Sequence, residues 1–287
     1  MKTTLKDKLS KQKLIKLYEV EGLSLADIAK MQSVSRVAIM KYCDQLGVKR
    51  RTKSKSRLLA QQKGKIQKQR YCTINEDFFS FWSSDMAYIF GLLITDGCIS
   101  KIKGGSYRIS LCLNDRDLLL KVAKTMGSDH TITESKYQKD INVFIFGREK
   151  IAQDLLRLGM KPRKSLDVKF PEVPKEYLRD FIRGVFDGDG SAFFEPKNNY
   201  NALKSSFTSG SREFIYRLEK ALYGLGMSKR TIYESSTTGK PISYKFKYSH
   251  KNSLQLYSKL YQNLRGGLYL KRKYDKFKKA IDNAKST

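Results

Sequence analysis

Ile89-Phe-Gly-Leu-Leu-Ile-Thr-Asp-Gly97 and Ile182-Arg-Gly-Val-Phe-Asp-Gly-Asp-Gly190 are two gap-free copies of one nine-residue pattern. Gly91 matches Gly184, Thr95 matches Gly188, Asp96 matches Asp189, and Gly97 matches Gly190. Gly91 and Thr95 are one helical turn apart and share a face; Gly184 and Gly188 do the same in the second copy. Small residues on a helix face let two backbones approach closely. Two such helices packed about a pseudo-twofold would bring their C-terminal ends together. Asp96 and Asp189 stand at those ends, each before a glycine expected to leave the helix in the left-handed conformation. One copy alone would read as an ordinary helix stop. Two copies inside a repeated strand–helix pattern do not.

Two carboxylates at the negative ends of two helix dipoles repel each other, and cations relieve that repulsion. Oxygen ligands of this kind suit Mg²⁺ or Mn²⁺. Divalent ions shared by two carboxylates can activate water and stabilise the leaving oxygen in phosphodiester cleavage.

The segments around each copy are parallel. After the first come an alternating strand over 106–113, a helix from Asp115 to Met126, strands near 131–134 and 141–146, and a helix from Glu149 to Leu158. After the second come a strand near 203–208, a helix from Arg212 to Leu222, strands near 231–234 and 242–248, and a helix from Asn252 to Tyr261. Each half reads helix, two strands, helix, two strands, helix. In the 242–249 strand, Tyr244, Phe246 and Tyr248 alternate with Lys245, Lys247 and Ser249; in 106–113, Ile109 and Leu111 alternate with Arg108 and Ser110. Period-two alternation gives each sheet one apolar and one basic-polar face. A two-stranded ribbon fits the DNA major groove. The Lys-rich tail, Lys271 to Lys279, reads as a solvated helix face able to touch phosphate.

At these residues the chain resembles the LAGLIDADG homing endonuclease family, over roughly 76–280. The resemblance implies an α+β fold: two pseudo-symmetric αββαββα repeats with saddle-shaped antiparallel sheets straddling double-stranded DNA. It implies a monomer acting on an asymmetric site. The family's metal ligands carry over to Asp96 and Asp189, with Gly97 and Gly190 beside them. A basic residue at the start of each repeat's last helix would be Arg148 in one half and Lys251 in the other. The family usually has Lys there, so Arg148 departs from it. A polar residue after the second strand would be Asn114 and Ser209. Phe90, Ile94 and Thr95 depart from the usual signature, and Asp187 fills the mid-helix acidic place in the second copy only.

Residues 11–47 read as three short helices, with Ser24 and Ser35 as N-caps and Gly47 closing the third. Leu25, Ile28, Ala29, Val34, Ile39 and Leu46 fit a tri-helical core. This stretch is similar to a helix-turn-helix, although Ser33 stands where the turn often has Gly. The resemblance aims Ser35, Arg36, Val37 and Lys41 at a major groove. A tri-helical protein-binding module is the bland reading of the same pattern. The next stretch, Val48 to Arg70, carries ten basic residues and no acid, beginning Lys49, Arg50 and Arg51. That composition suits an arm tracking phosphates. The expected layout is a helix-turn-helix domain over 1–47, a basic linker over 48–75 and repeats over 76–170 and 171–287.

Composition narrows the field. The chain has 287 residues, 57 Lys plus Arg against 28 Asp plus Glu, and a formal net charge of +29. A surplus this large points to a polyanionic partner. No apolar run approaches the ~20 residues of a membrane span, and the charged start lacks a secretory core. Cys43, Cys72, Cys98 and Cys112 have no metal-type spacing, and His130 and His250 are the only histidines. A zinc finger, a His-based hydrolase and a disulfide scaffold therefore fit poorly. The expected setting is the cytoplasm of a bacterial or phage-type host. The leading expectation is an intron-associated, site-specific endonuclease. A non-catalytic DNA-binding regulator and a maturase binding intron RNA are alternatives on the same fold. An intein is disfavoured, because neither terminus has the residues that protein splicing needs.

Overall fold

A computed structural model describes residues 5–64, 72–102, 105–162, 164–197, 200–236 and 241–285. Its contacts divide the chain into two units, Met1–Tyr71 and Cys72–Thr287. No helix among the described residues is long and apolar enough to cross a membrane.

The first unit is helical. Leu5–Lys8 (α1) precedes Lys11–Ile15 (α2), which continues into a π-helical turn over Lys16–Val20. Leu25–Met31 (α3) starts with a capping box: Ser24 Oγ accepts the Asp27 N–H, and Asp27 accepts the Ser24 N–H. Ser35 caps Arg36–Gln45 (α4) by accepting the Ala38 N–H at 3.1 Å. Gly47 takes φ +67°, as a C′ glycine should. Ser33 is also left-handed, at φ +54°. The turn thus takes the glycine-like conformation without glycine, at some backbone strain. Leu14, Leu17, Tyr18, Ile28, Ala29, Ile39, Tyr42, Cys43 and Val48 form the core, with Leu25, Val34 and Leu46 packed against it. The basic stretch after Val48 is not all linker: Lys53–Gln62 is helix α5. Lys65, Lys68 and Arg70 lie outside the described residues.

The second unit contains both signature copies, as helices Ser84–Asp96 (α6) and Leu178–Asp189 (α9). Each opens half of a duplicated topology. The first half continues with β1 (Gly97–Lys101), β2 (Tyr107–Leu113), α7 (Arg116–Thr125), β3 (Thr133–Glu134), β4 (Asn142–Phe146) and α8 (Glu149–Arg157). The second continues with β5 (Ser191–Lys197), β6 (Tyr200–Ser209), α10 (Arg212–Gly224), β7 (Tyr233–Ser235), β8 (Ser243–Tyr248) and α11 (His250–Leu260). The strand orders are β1-β2-β4-β3 and β5-β6-β8-β7, antiparallel throughout. The fold is α+β, with two antiparallel four-stranded sheets in a two-repeat arrangement.

The small residues explain how α6 and α9 meet. A Cβ at Gly91 would lie 2.3 Å from the Phe181 carbonyl oxygen, and one at Gly184 would lie 2.1 Å from that of Tyr88. Only glycine fits where the backbones touch. Around the contact, Phe90 packs on Phe181, and Trp82 stacks on Tyr177 at 11° between planes. One hydrophobic core runs through both repeats.

Two expectations fail here. Gly97 and Gly190 are not left-handed but extended, at φ −88° and −71°. Each helix runs straight into a strand, and the glycine is needed for room: a Cβ would meet the Leu93 or the Phe186 carbonyl oxygen at 2.5 Å. The basic tail is also not merely a solvated face. Lys271–Lys285 forms helix α12, whose Phe277 and Ala280 join the core and whose Lys273 is only 3% exposed.

A carboxylate pair capped by two lysines

Asp96 and Asp189 end α6 and α9 at the seam between the two repeats. Asp96 is half-buried and Asp189 more open. Burial pushes the Asp96 carboxyl up from 3.8 to about 6, and the negative charge of Asp189 adds to the effect. The Asp189 carboxyl is also raised, first by burial, against the lowering pull of two lysines. The pair is therefore close enough to interact.

Two lysines supply positive charge beside the pair. Lys164, in a 3-10 turn after α8, donates to the Gly97 carbonyl at 2.7 Å and the Thr95 carbonyl at 3.2 Å. Lys273 of α12 donates to the carbonyls of Phe186 (2.6 Å), Asp187 (2.7 Å) and Gly188 (3.1 Å). Each ammonium thus caps the C-terminal end of one signature helix, where carbonyls lack partners and the dipole is negative. Burial lowers the Lys273 ammonium to about 8 and lowers that of Lys164 as well. Asp96 and Asp189 act electrostatically on both.

The two ends differ in detail. Thr95 Oγ1 donates to Asp96 Oδ2 at 3.2 Å. Its counterpart Gly188 has no side chain, and a Cβ there would collide with Thr95 Oγ1 and with Asp96 Oδ2. Asp187 faces inward, not into the cleft. It accepts from Tyr88 Oη (2.8 Å), Tyr261 Oη (2.5 Å) and the Leu270 N–H (2.8 Å). These bonds tie α9 to α6, to α11 and to the chain entering α12, which places Lys273.

The other expected site residues fall in several places. Ser209 lines a cleft with Ile94, Thr95, Lys164, Asp189 and Ser243. Asn114 is exposed, and its carbonyl accepts from Asn142 Nδ2 at 3.0 Å. The ladder register makes Leu113 the counterpart of Ser209, because Gly97 pairs with Leu111 while Ser191 pairs with Ser206. Arg148 does not join the pair: its guanidinium holds the Gly147 and Cys72 carbonyls and Glu76. Lys251 is exposed in the first turn of α11 and is not among the charges acting on either acid. Arg108 and Lys247 are exposed, and Lys245 is half-buried, on the outward faces of β2 and β8.

In the first unit, Arg36, Lys41, Lys49 and Arg50 are exposed, and Arg50 pairs with Asp44 at 3.4 Å. Arg51 is held internally. Its backbone N–H donates to Tyr18 Oη, its guanidinium donates to the Gly22 and Leu23 carbonyls, and it lies 4.0 Å over the Tyr18 ring.

Lys164 and Lys273 are the site residues that sequence patterns did not single out. A signal existed for Lys273: Leu270, Lys273 and Phe277 fall at helical spacing on one face, so a lysine sits in an apolar stripe. Lys164 had none, because its place depends on a turn.

The LAGLIDADG-like domain family matches the chain twice, over 83–159 and 176–271. Among curated proteins, the chain is 26% identical over 212 residues to a probable translation initiation factor IF-2 of Methanocaldococcus jannaschii, covering 70% of this chain and 16% of that protein. The chain therefore spans only a minor part of that relative. Among solved structures, the homing endonuclease I-DmoI in complex with DNA and calcium is 15% identical (66% of this chain, 92% of that chain, TM-score 0.45). I-SmaMI bound to an uncleaved DNA target with calcium is 12% identical (72% and 93%, TM-score 0.44).

Proposed function

The chain belongs to the LAGLIDADG-like domain family, and on that premise we propose that it is a site-specific, divalent-metal-dependent DNA endonuclease. It acts as a monomer on a long asymmetric target and makes a double-strand break there, in the setting of intron homing. The observation that carries this reading is the meeting of Asp96 and Asp189 at the ends of two helices in van der Waals contact, both carboxyls raised by burial and Asp96 also by the charge of its partner.

The donor set fits Mg²⁺ or Mn²⁺: it is all oxygen and anionic. Asp96 and Asp189 would hold the ion, with Gly97 and Gly190 beside them. Bound there, the ion supplies Lewis acidity toward the scissile phosphate and its leaving oxygen. The chain's own groups do the rest. Close packing of α6 and α9 fixes the separation of the two carboxylates, so each can serve one strand of the duplex. Lys164 and Lys273 keep positive charge at the same seam, where it acts on both carboxylates. Thr95 orients Asp96 through its hydroxyl. Ser209 borders the cleft beside Asp189.

The outward faces of the two sheets, with Arg108, Lys245 and Lys247, would contact the duplex. The helical unit would add contacts beyond the cleavage site through Ser35, Arg36 and Lys41, with Lys49 and Arg50 on phosphates. Arg51 contributes by fixing the fold of that unit.

The test is cleavage of the intronless junction DNA of the gene that carries this reading frame, with Mg²⁺ and with EDTA. The expected result is a metal-dependent double-strand break, lost in Asp96→Asn and in Asp189→Asn while binding persists. Binding without cutting under every metal condition would return the chain to a DNA-binding regulator or an intron-RNA maturase.

A further inference from the structure

Outside the cleft, one group of side chains has the chemistry of a different metal. Among the described residues, Cys72, Asp129 and His130 place their ligand atoms within 4.8 Å of one another. They come from two segments: Cys72 from the first residue of the second unit, and Asp129 with His130 from the loop after α7. We propose that these three residues form a Zn²⁺ site, separate from the carboxylate pair, that fastens the start of the second unit to its first repeat.

The segments are already held together by the backbone. Asn75 N–H donates to the Met126 carbonyl at 2.9 Å, and Asp129 N–H to that of Thr73 at 3.3 Å. Thr73 N–H donates to Asp129 Oδ1 at 2.6 Å, which orients that carboxylate. The imidazole is oriented too. Ser128 Oγ accepts the His130 N–H at 3.2 Å and lies 2.8 Å from its Nδ1. Phe144 packs edge-on against the ring at 6.3 Å. Ser128 beside Nδ1 is the kind of second partner that fixes the ring of a ligating histidine. The ring also hydrogen-bonds the Thr73 carbonyl, so metal binding would displace a proton there. Cys72 forms no disulfide and is half-buried. Arg148 donates to its carbonyl, so this arginine supports the Cys72 backbone.

One thiolate, one imidazole and one carboxylate make a borderline-soft set that suits Zn²⁺ and not Mg²⁺. Zn–ligand distances of about 2.0–2.3 Å need only small side-chain rotations from this spacing. Three protein donors leave a fourth position for water. The ion would close the loop between Cys72 and His130, which encloses α6, β1, β2 and α7. The all-oxygen pair at Asp96 and Asp189 would select a hard ion independently.

The experiment uses the full reduced chain and Co²⁺ as a spectroscopic substitute for Zn²⁺, and needs no DNA. The expected result is a thiolate-to-cobalt charge-transfer band that saturates with one Co²⁺ bound at this site per chain and is abolished by added Zn²⁺. Cys72→Ser and His130→Ala should remove the band. Cys98→Ala and the Asp96→Asn/Asp189→Asn double variant should keep it. Ser128→Ala should keep it with affinity reduced by roughly 10–100-fold. No band in the wild-type chain, or a band that survives Cys72→Ser or depends on Asp96, would overturn the site. Because the readout is binding of Co²⁺, its failure is separate from any failure of the nuclease reading.

Discussion

The two halves of the second unit share one backbone plan and build the same corner differently. In the first half the lysine at the signature helix comes from a short 3-10 turn, Lys164, and the mid-helix position is apolar, Ile94. In the second half the lysine comes from a separate helix, Lys273 of α12, and the mid-helix position is the buried acid Asp187. The acid explains the helix. Asp187 accepts the Leu270 N–H and two tyrosine hydroxyls, so it fixes the chain where it turns into α12. The pseudo-twofold is kept where backbones touch, at Gly91 and Gly184. It is broken where only the position of a charge matters.

The largest effect should follow from making the halves alike at this point. Asp187→Ile copies Ile94 into the second half and leaves Tyr88, Tyr261 and Leu270 without their acceptor. Removing one member of a buried charged network costs about 3–5 kcal/mol, so the melting temperature should fall by many degrees. Cleavage should fall with it, because Lys273 loses its placement. A stable, active Asp187→Ile would show that α12 is held by other contacts.

Next come the lysines, compared as Lys164→Met and Lys273→Met. Each should reduce cleavage by roughly tenfold or more, the equivalent of about one pKa unit of lost interaction with the carboxylates. They should differ in melting: Lys273 bonds three carbonyls at 3% exposure, Lys164 two at 6%. Melting and single-turnover cleavage on the same preparations separate these two roles.

A smaller effect concerns Asp96 without divalent ions. Its folded-state carboxyl titrates near 6 against 3.8 in the unfolded chain. Between those values the folded state binds more protons, so stability falls as pH rises through that window and stays reduced above it. Asp96→Asn should therefore stabilise the metal-free protein by about 1–3 kcal/mol at pH 7. The gain should vanish near pH 4, which denaturation at the two pH values would read directly. Equal stability of the two proteins at pH 7 would remove the electrostatic argument. The smallest change expected is from Thr95→Gly, which makes the first signature match Gly188. It deletes one hydroxyl contact to Asp96 and should cost under about 1.5 kcal/mol.

What the sequence made legible follows the same division. Gly91 with Gly184, and Asp96 with Asp189, could be read because helix contact and helix end are local properties that repeat in register. The strand faces of β2 and β8 were legible for the same reason, through period-two alternation. Arg148 and Lys251 were placed by analogy of local context. The structure puts Arg148 on Glu76 and the Cys72 carbonyl, because a long side chain takes the nearest partner. Lys164 and Lys273 depend on where a turn and a terminal helix return in space, which no spacing in the chain encodes. The Lys53–Gln62 helix was hidden by its charge: a run of cations without an acid reads as an arm, while Leu58, Leu59 and Ala60 carried too little apolar signal.

The central claim is that Asp96 and Asp189 hold one divalent ion between them. Melting of the wild-type chain against Mn²⁺, beside Asp96→Asn, Asp189→Asn and the double variant, tests it without knowledge of the DNA target. At about 100-fold excess over the dissociation constant, a native-state ligand stabilises by roughly 2.7 kcal/mol. The account predicts that gain for the wild type, its loss in either single variant and no further loss in the double. Stabilisation by Mn²⁺ that survives one substitution, or that declines additively, would mean that the two carboxylates do not share a cation.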